Sequence, residues 1–365
     1  MLDLNSLMTR RQLLGLLGGT AAASAAITGM IPMGINTYCL RSLRWSDAQL
    51  LDYCAKLRLD AIFLQDSSDT GRYDPAHWKW VRQRATELRL HLETGGGVIL
   101  PRTLAGIPDE IKKLRREIQR ASAMGSRIVR SLLASDRAHL PPGTIEQHTE
   151  TALTIFRAVR SELKDAGIKI GLEFHKDLQG WEMKRLIEAA GTDTVGSYLD
   201  TGNPVFVMED PLHSVEVLAP YAVTVHLRDS VVYEHPRGIA VQWVPLGEGN
   251  VDFPKIIAKV RELSTGVHIF VKPITGRPPE VLPIYDPAYW ERFPEAKAKD
   301  FVRFLALAKR GGPYEGHVVT EDLYGQPVAP QFLTAVQYQQ RDHVERGVAY
   351  ARQTLGLGIR HRESR

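Results

Sequence analysis

The chain has 365 residues, 44% of them hydrophobic and 24% charged, which is an ordinary globular composition. The formal net charge of +4 is spread along the sequence without a Lys/Arg run, and this argues against a nucleic-acid-binding stripe. The length is large for one domain, but an α/β barrel takes about 250 residues and grows by insertion.

The first segment stands apart. Thr9-Arg10-Arg11-Gln12-Leu13-Leu14 sets paired arginines before a weakly apolar run, residues 13–26, and Ala23-Ser24-Ala25 reads as a cleavage pattern. Residues 1–30 are therefore expected to be a twin-arginine-type signal peptide, with the mature chain periplasmic or extracellular. The run is short for a membrane span, and no later stretch approaches the length one needs. Cys39 and Cys54 are the two cysteines and are expected as separate buried thiols.

Short apolar runs then alternate with amphipathic helical stretches. The runs are 33–38, 61–65, 90–94, 127–132, 168–174, 195–200, 223–228 and 267–272. Strands separated by helices predict βα repeats and a parallel sheet. Gly125, Gly167 and Gly191 precede strands, as helix stops do. A doubly wound sheet would want a phosphate loop after the first strand. None follows residues 33–38, and Gly95-Gly96-Gly97 lacks G-x-G-x-x-G spacing. The α/β reading is thus a (β/α)₈ barrel over residues 31–312. An aromatic, proline-rich capping loop spans 273–300, and a mostly helical extension, 313–365, is expected to pack on the barrel or on a second subunit of a homo-oligomer.

Barrel active sites lie at the C-terminal ends of strands. Those ends offer Glu173 and His175, then Asp200, then His226 and Arg228, then Lys272. Residues two apart on a strand share a face, so each pair can point at the axis together. Glu173, Asp200 and His226 form a set that suits Mn²⁺ or Mg²⁺, with Zn²⁺ and Co²⁺ as alternatives. Glu93 and Arg130 are expected to line the pocket from strands three and four. Tyr285 and Trp290, in the loop after strand eight, are candidate platforms for a sugar. Gly247-Glu248-Gly249 reads as a turn, with Asp252 capping the next helix.

Leu172-Glu173-Phe174-His175, Leu199-Asp200-Thr201-Gly202-Asn203-Pro204, Val225-His226-Leu227-Arg228-Asp229 and Pro245-Leu246-Gly247-Glu248-Gly249-Asn250 carry a resemblance. The chain resembles the sugar phosphate isomerase/epimerase-like family of the xylose isomerase-type TIM barrels. The resemblance implies one divalent metal on Glu173, Asp200, His226 and a final glutamate on strand eight. Lys272 stands where that glutamate belongs. Three arrangements remain open: a metal on three protein ligands, an ammonium standing in for the metal, or a lysine depressed into a base. The implied function is a sugar isomerase or epimerase that abstracts a proton next to a carbonyl, with Glu173 and Lys272 as catalytic groups. His175 and Arg228 would orient the small-molecule sugar. A lyase or hydratase on an oxidised keto-glycoside is the nearest alternative. The other is a non-catalytic carbohydrate-binding barrel that lost its metal.

The leader has a direct test. Residues 1–35 fused to a reporter should direct export, and replacing Arg10 and Arg11 by lysine should abolish it. Export insensitive to the double replacement would defeat the twin-arginine reading.

Overall fold

The computed structural model describes residues 30–65, 69, 73–321 and 328–363. The leader, up to residue 29, lies outside them. Strands β1 (Met33–Asn36), β2 (Ala61–Leu64), β3 (His91–Val98), β4 (Ile128–Leu132), β5 (Lys169–Glu173), β6 (Val195–Asp200) and β7 (Ala222–Leu227) follow in chain order. A hairpin of β8 (Asp229–His235) and β9 (Gly238–Val244) comes next. β10 (Ile269–Val271) then closes the parallel barrel between β7 and β1. A short strand, β11 (Glu280–Leu282), pairs with β9 over the C-terminal face.

Helices cover the outside. They are α1 (Asp47–Lys56), α2 (Pro75–Glu87), α3 (Ile107–Met124), α4 (Ile145–Ala158), α5 (Arg160–Ala166), α6 (Gly180–Ala190), α7 (Pro211–Leu218), α8 (Phe253–Leu263), α9 (Pro287–Trp290), α10 (Ala298–Ala308) and α11 (Leu333–Gln353). Local sequence explains their ends. Ser46 with Gln49 and Thr144 with Gln147 form capping boxes, and Asp252 accepts from the Lys255 amide. Gly125 and Gly167 end α3 and α5 in the left-handed region, at φ 79° and 64°.

Every predicted strand is present, within a few residues at its ends. The β8–β9 hairpin is an insertion that the sequence reading does not show; β9 is apolar and largely buried, while β8 ends in the less buried Tyr233, Glu234 and His235. Asp229 organises its exit: one carboxylate oxygen accepts from the Gly247 and Gly249 amides, at 2.9 and 3.0 Å. Cys39 and Cys54 are separate buried thiols.

Inward-facing side chains stack in layers, as the two-residue strand period requires. Phe63, Tyr198, His226 and Phe270 fill the middle. The Tyr198 and His226 rings stack at 3.8 Å between centroids, with Phe63 edge-on to His226 at 4.9 Å. This layer separates a polar cluster at the C-terminal end from another at the N-terminal mouth.

The C-terminal extension packs on the barrel. Gln340 of α11 exchanges hydrogen bonds with Ser42, and Gly347 lies against Val271. Its last described residues seal the barrel base through Asp60. That carboxylate accepts from the Met33 amide at 2.8 Å, the Ile359 amide at 2.9 Å and the Arg360 amide at 2.8 Å. Asp60→Ala should cost roughly 3 kcal/mol, since three amides lose a charged acceptor. Urea denaturation measures it, and a loss below about 0.5 kcal/mol would show that the tail docks independently of Asp60.

Candidate active site

Four strands deliver charged groups to one point above the aromatic layer. The Lys272 ammonium lies 3.0 Å from Glu173 Oε1, 3.3 Å from Asp200 Oδ2 and 3.3 Å from the Tyr198 hydroxyl. Its three N–H groups thus meet three oxygens. Arg130 Nε donates to the other oxygen of Glu173. Arg228 donates to Asp200 Oδ2 at 2.8 Å, and Asp200 Oδ1 accepts from the Gly202 amide at 2.9 Å. Asn36 from β1 donates to the Tyr198 hydroxyl at 3.1 Å.

Glycines make room for the two arginines. A Cβ on Gly202 would sit 2.5 Å from Arg228 Cδ, and one on Gly95 would sit 2.1 Å from Arg130 Cβ. Arg228 also lies 4.3 Å from the centre of the Trp243 ring, whose Nε1 donates to the Gly202 carbonyl at 2.7 Å. The β8–β9 hairpin thereby forms part of the roof. Lys176, 4.4 Å from the Phe206 ring centre, stands beside it.

Charge sets the protonation states. Burial pushes the Glu173 carboxyl up, but Arg130 and Lys272 outweigh it and hold the group well below its ordinary range. Burial pulls Lys272 down from the usual lysine value, and Glu173 resists this. His175 is pushed down to about 4, chiefly by burial, so its ring is neutral at physiological pH. Its Nδ1 and the Nε atoms of Arg228 and Arg277 are buried without protein partners. These are free donors or acceptors next to the charged cluster.

The sequence model of the xylose isomerase-like TIM barrel family matches residues 51–290. The chain belongs to that family. The 3-oxo-isoapionate decarboxylase of Pectobacterium atrosepticum is 25% identical over 227 residues, 62% of this chain and 76% of that protein. Among solved structures, a D-psicose 3-epimerase aligns at a TM-score of 0.59 with 14% identity, covering 89% of this chain and all (100%) of that one. An L-ribulose 3-epimerase aligns at 0.56 with 18% identity, covering 92% and 100%. At these identities the structural matches establish the shared fold.

The donor set at strands five to eight does not fit the divalent metal that the family resemblance implies. All four carboxylate oxygens of Glu173 and Asp200 are taken by Lys272, Arg130, Arg228 and the Gly202 amide. His226 belongs to the aromatic layer, where Nε2 meets Thr224 Oγ1 at 3.3 Å and Nδ1 is buried without a partner. Burial, then Lys272, holds its ring well below the ordinary histidine value. Among the described residues, Glu173, Asp200 and His226 are not a group whose ligand atoms lie within 4.8 Å of one another. Three buried cations crowding two carboxylates would repel a dication there.

Other expected site residues divide. Glu173, Asp200, Lys272, Arg130 and Arg228 converge, and His175 adjoins them. Glu93 does not: its carboxylate turns to the N-terminal mouth and meets His91 Nε2 at 3.3 Å. The position within β3, two residues short of Gly95, places it too low. Tyr285 is 66% exposed, at the surface of the loop after β10. Trp290 packs edge-on against Phe301 at 4.9 Å, and its Nε1 donates to the Ile284 carbonyl. Sequence reading missed Tyr198, Asn36 and Trp243. The first had a visible signal, since Tyr198 precedes Asp200 by two and must share its face.

The ion pairs should shape acid stability. Glu173 has a folded value below its unfolded one, so its contribution is present above about 4.5 and fades as pH falls towards the folded value. Wild type should therefore lose more stability than Glu173→Gln between pH 5 and pH 3 in urea titrations. Parallel curves would refute the assigned pairing.

Proposed function

We propose that the protein is a sugar-acting enzyme that builds an enolate beside a carbonyl, with the Lys272 ammonium in place of a metal. The substrate class that fits best is an oxo sugar acid undergoing decarboxylation. One observation carries this reading: the buried cluster holds three cations, Arg130, Arg228 and Lys272, but only two carboxylates, Glu173 and Asp200. A buried charge without a partner is costly, so the surplus cation calls for an anion from the substrate. A carboxylate supplies it. The similarity to a 3-oxo-isoapionate decarboxylase supports the same class.

The step needs little from a base. The substrate's C–C bond to its carboxylate breaks, CO₂ leaves, and the electron pair moves to the carbonyl oxygen as an enolate. Lys272 donates a hydrogen bond to that oxygen where negative charge develops. Its lowered affinity for protons also suits it to hand one over, giving a neutral ketone after protonation at carbon. Asp200 and Tyr198 hold the ammonium in place. His175 Nδ1 and Arg228 Nε are free to bind substrate oxygens. The expected periplasmic or extracellular location remains part of this proposal and rests on Arg10-Arg11.

Isomerisation or epimerisation of a keto-sugar is the second reading. It is favoured by Glu173, which is ionised and beside Lys272, but its two cationic partners make it a weak base. Incubation with 3-oxo sugar acids, followed by CO₂ release, and with neutral ketoses in D₂O, followed by exchange at carbon, separates the two. Decarboxylation is expected, undiminished by EDTA, with Lys272→Met lowering kcat about 100-fold or more. Exchange on neutral ketoses without CO₂ release would transfer the protein to the epimerase reading. Activity abolished by EDTA and restored by Mn²⁺ would overturn the metal-free site.

A further inference from the structure

The N-terminal mouth of the barrel holds a second cluster that the proposed reaction does not use. His91 opens β3, Glu93 follows it on the same face, and His268 precedes β10. Glu93 Oε1 lies 3.3 Å from His91 Nε2 and 4.0 Å from His268 Nδ1. One ligand atom from each of the three lies within 4.8 Å of the other two. The carboxylate is 1% exposed, and its Oε2 is buried without a hydrogen-bond partner. The two imidazoles are 31% and 22% exposed, so the group opens to solvent on their side.

We propose that His91, Glu93 and His268 form a binding site for a borderline transition-metal ion, Zn²⁺ in the first instance, at the N-terminal pole of the barrel. Two imidazoles and one carboxylate, completed by water, are a donor set that Zn²⁺ accepts. Zinc bonds of about 2.0–2.1 Å put neighbouring tetrahedral ligands roughly 3.3 Å apart. The His91–Glu93 separation already meets that, and the His268 separation needs a modest closure. The two rings now stack face to face at 3.7 Å with 5° between planes. An ion in the plane of both requires one ring to turn about its soft terminal torsion.

The ion would staple strands that do not touch. β3 pairs with β2 and β4, while β10 pairs with β1 and β7. The staple thus crosses the mouth and ties down a closing strand of only three residues. The site lies at the end of the barrel where residues serve stability rather than catalysis. It is separate from Lys272, with the aromatic layer between them.

Isothermal titration of Zn²⁺ alone into the full, tag-free chain tests this. One site is expected in wild type, weakened about tenfold or more by His268→Ala and by His91→Ala, and unchanged by Lys272→Met. Zinc should raise the melting temperature of wild type and leave that of His268→Ala where it was. X-ray absorption on the zinc-loaded wild type should show two imidazole ligands. No binding by wild type at 0.1 mM Zn²⁺, binding that survives both histidine substitutions, binding lost in Lys272→Met protein whose circular dichroism matches wild type, or a zinc shell without imidazole would each overturn the site.

Discussion

The structure turns on one buried ammonium. Lys272 sits 3% exposed between Glu173 and Asp200; Arg130 holds the other oxygen of Glu173, and Arg228 shares Asp200 Oδ2 with the ammonium. Such an arrangement is stable only as a set. Removing one member leaves a charge buried without compensation, which commonly costs about 3–5 kcal/mol. The demand propagates outward. Gly95 and Gly202 must lack side chains for the arginines to reach in, Asn36 must hold Tyr198, and Tyr198 must present its hydroxyl to the ammonium.

The barrel interior is consequently divided. A layer of Phe63, Tyr198, His226 and Phe270 insulates the charged cluster from the N-terminal mouth. Low polarity beneath the cluster strengthens each ion pair above it. It also explains His226, a histidine that behaves as an aromatic plate rather than as a charged or ligating group. The roof comes from outside the barrel repeat, with Trp243 of β9 over Arg228 and β11 extending the same small sheet.

Family membership and charge answer different questions. The fold shared with sugar epimerases places reacting groups at strand ends, but does not choose the reaction. The choice follows from what those ends carry. Two carboxylates held by three cations make poor metal ligands and a weak base. The proposed loss of a carboxylate rests on that imbalance of charge.

The sequence by itself determined the barrel, because strand and helix periods are local and repeat along the chain. It also determined which strand ends carry Glu173, Asp200, Arg228 and Lys272, because alternation assigns faces. It could not say that Lys272 reaches both carboxylates, since residues 99 and 72 positions apart meet only when the barrel closes. Height along the axis was equally hidden. Glu93 has the right face but the wrong level, and strand tilt, which sequence does not encode locally, decides the level. Tyr285 and Trp290 had the right loop, yet packing against α10 and exposure to solvent, both tertiary matters, gave the roof to Trp243 instead.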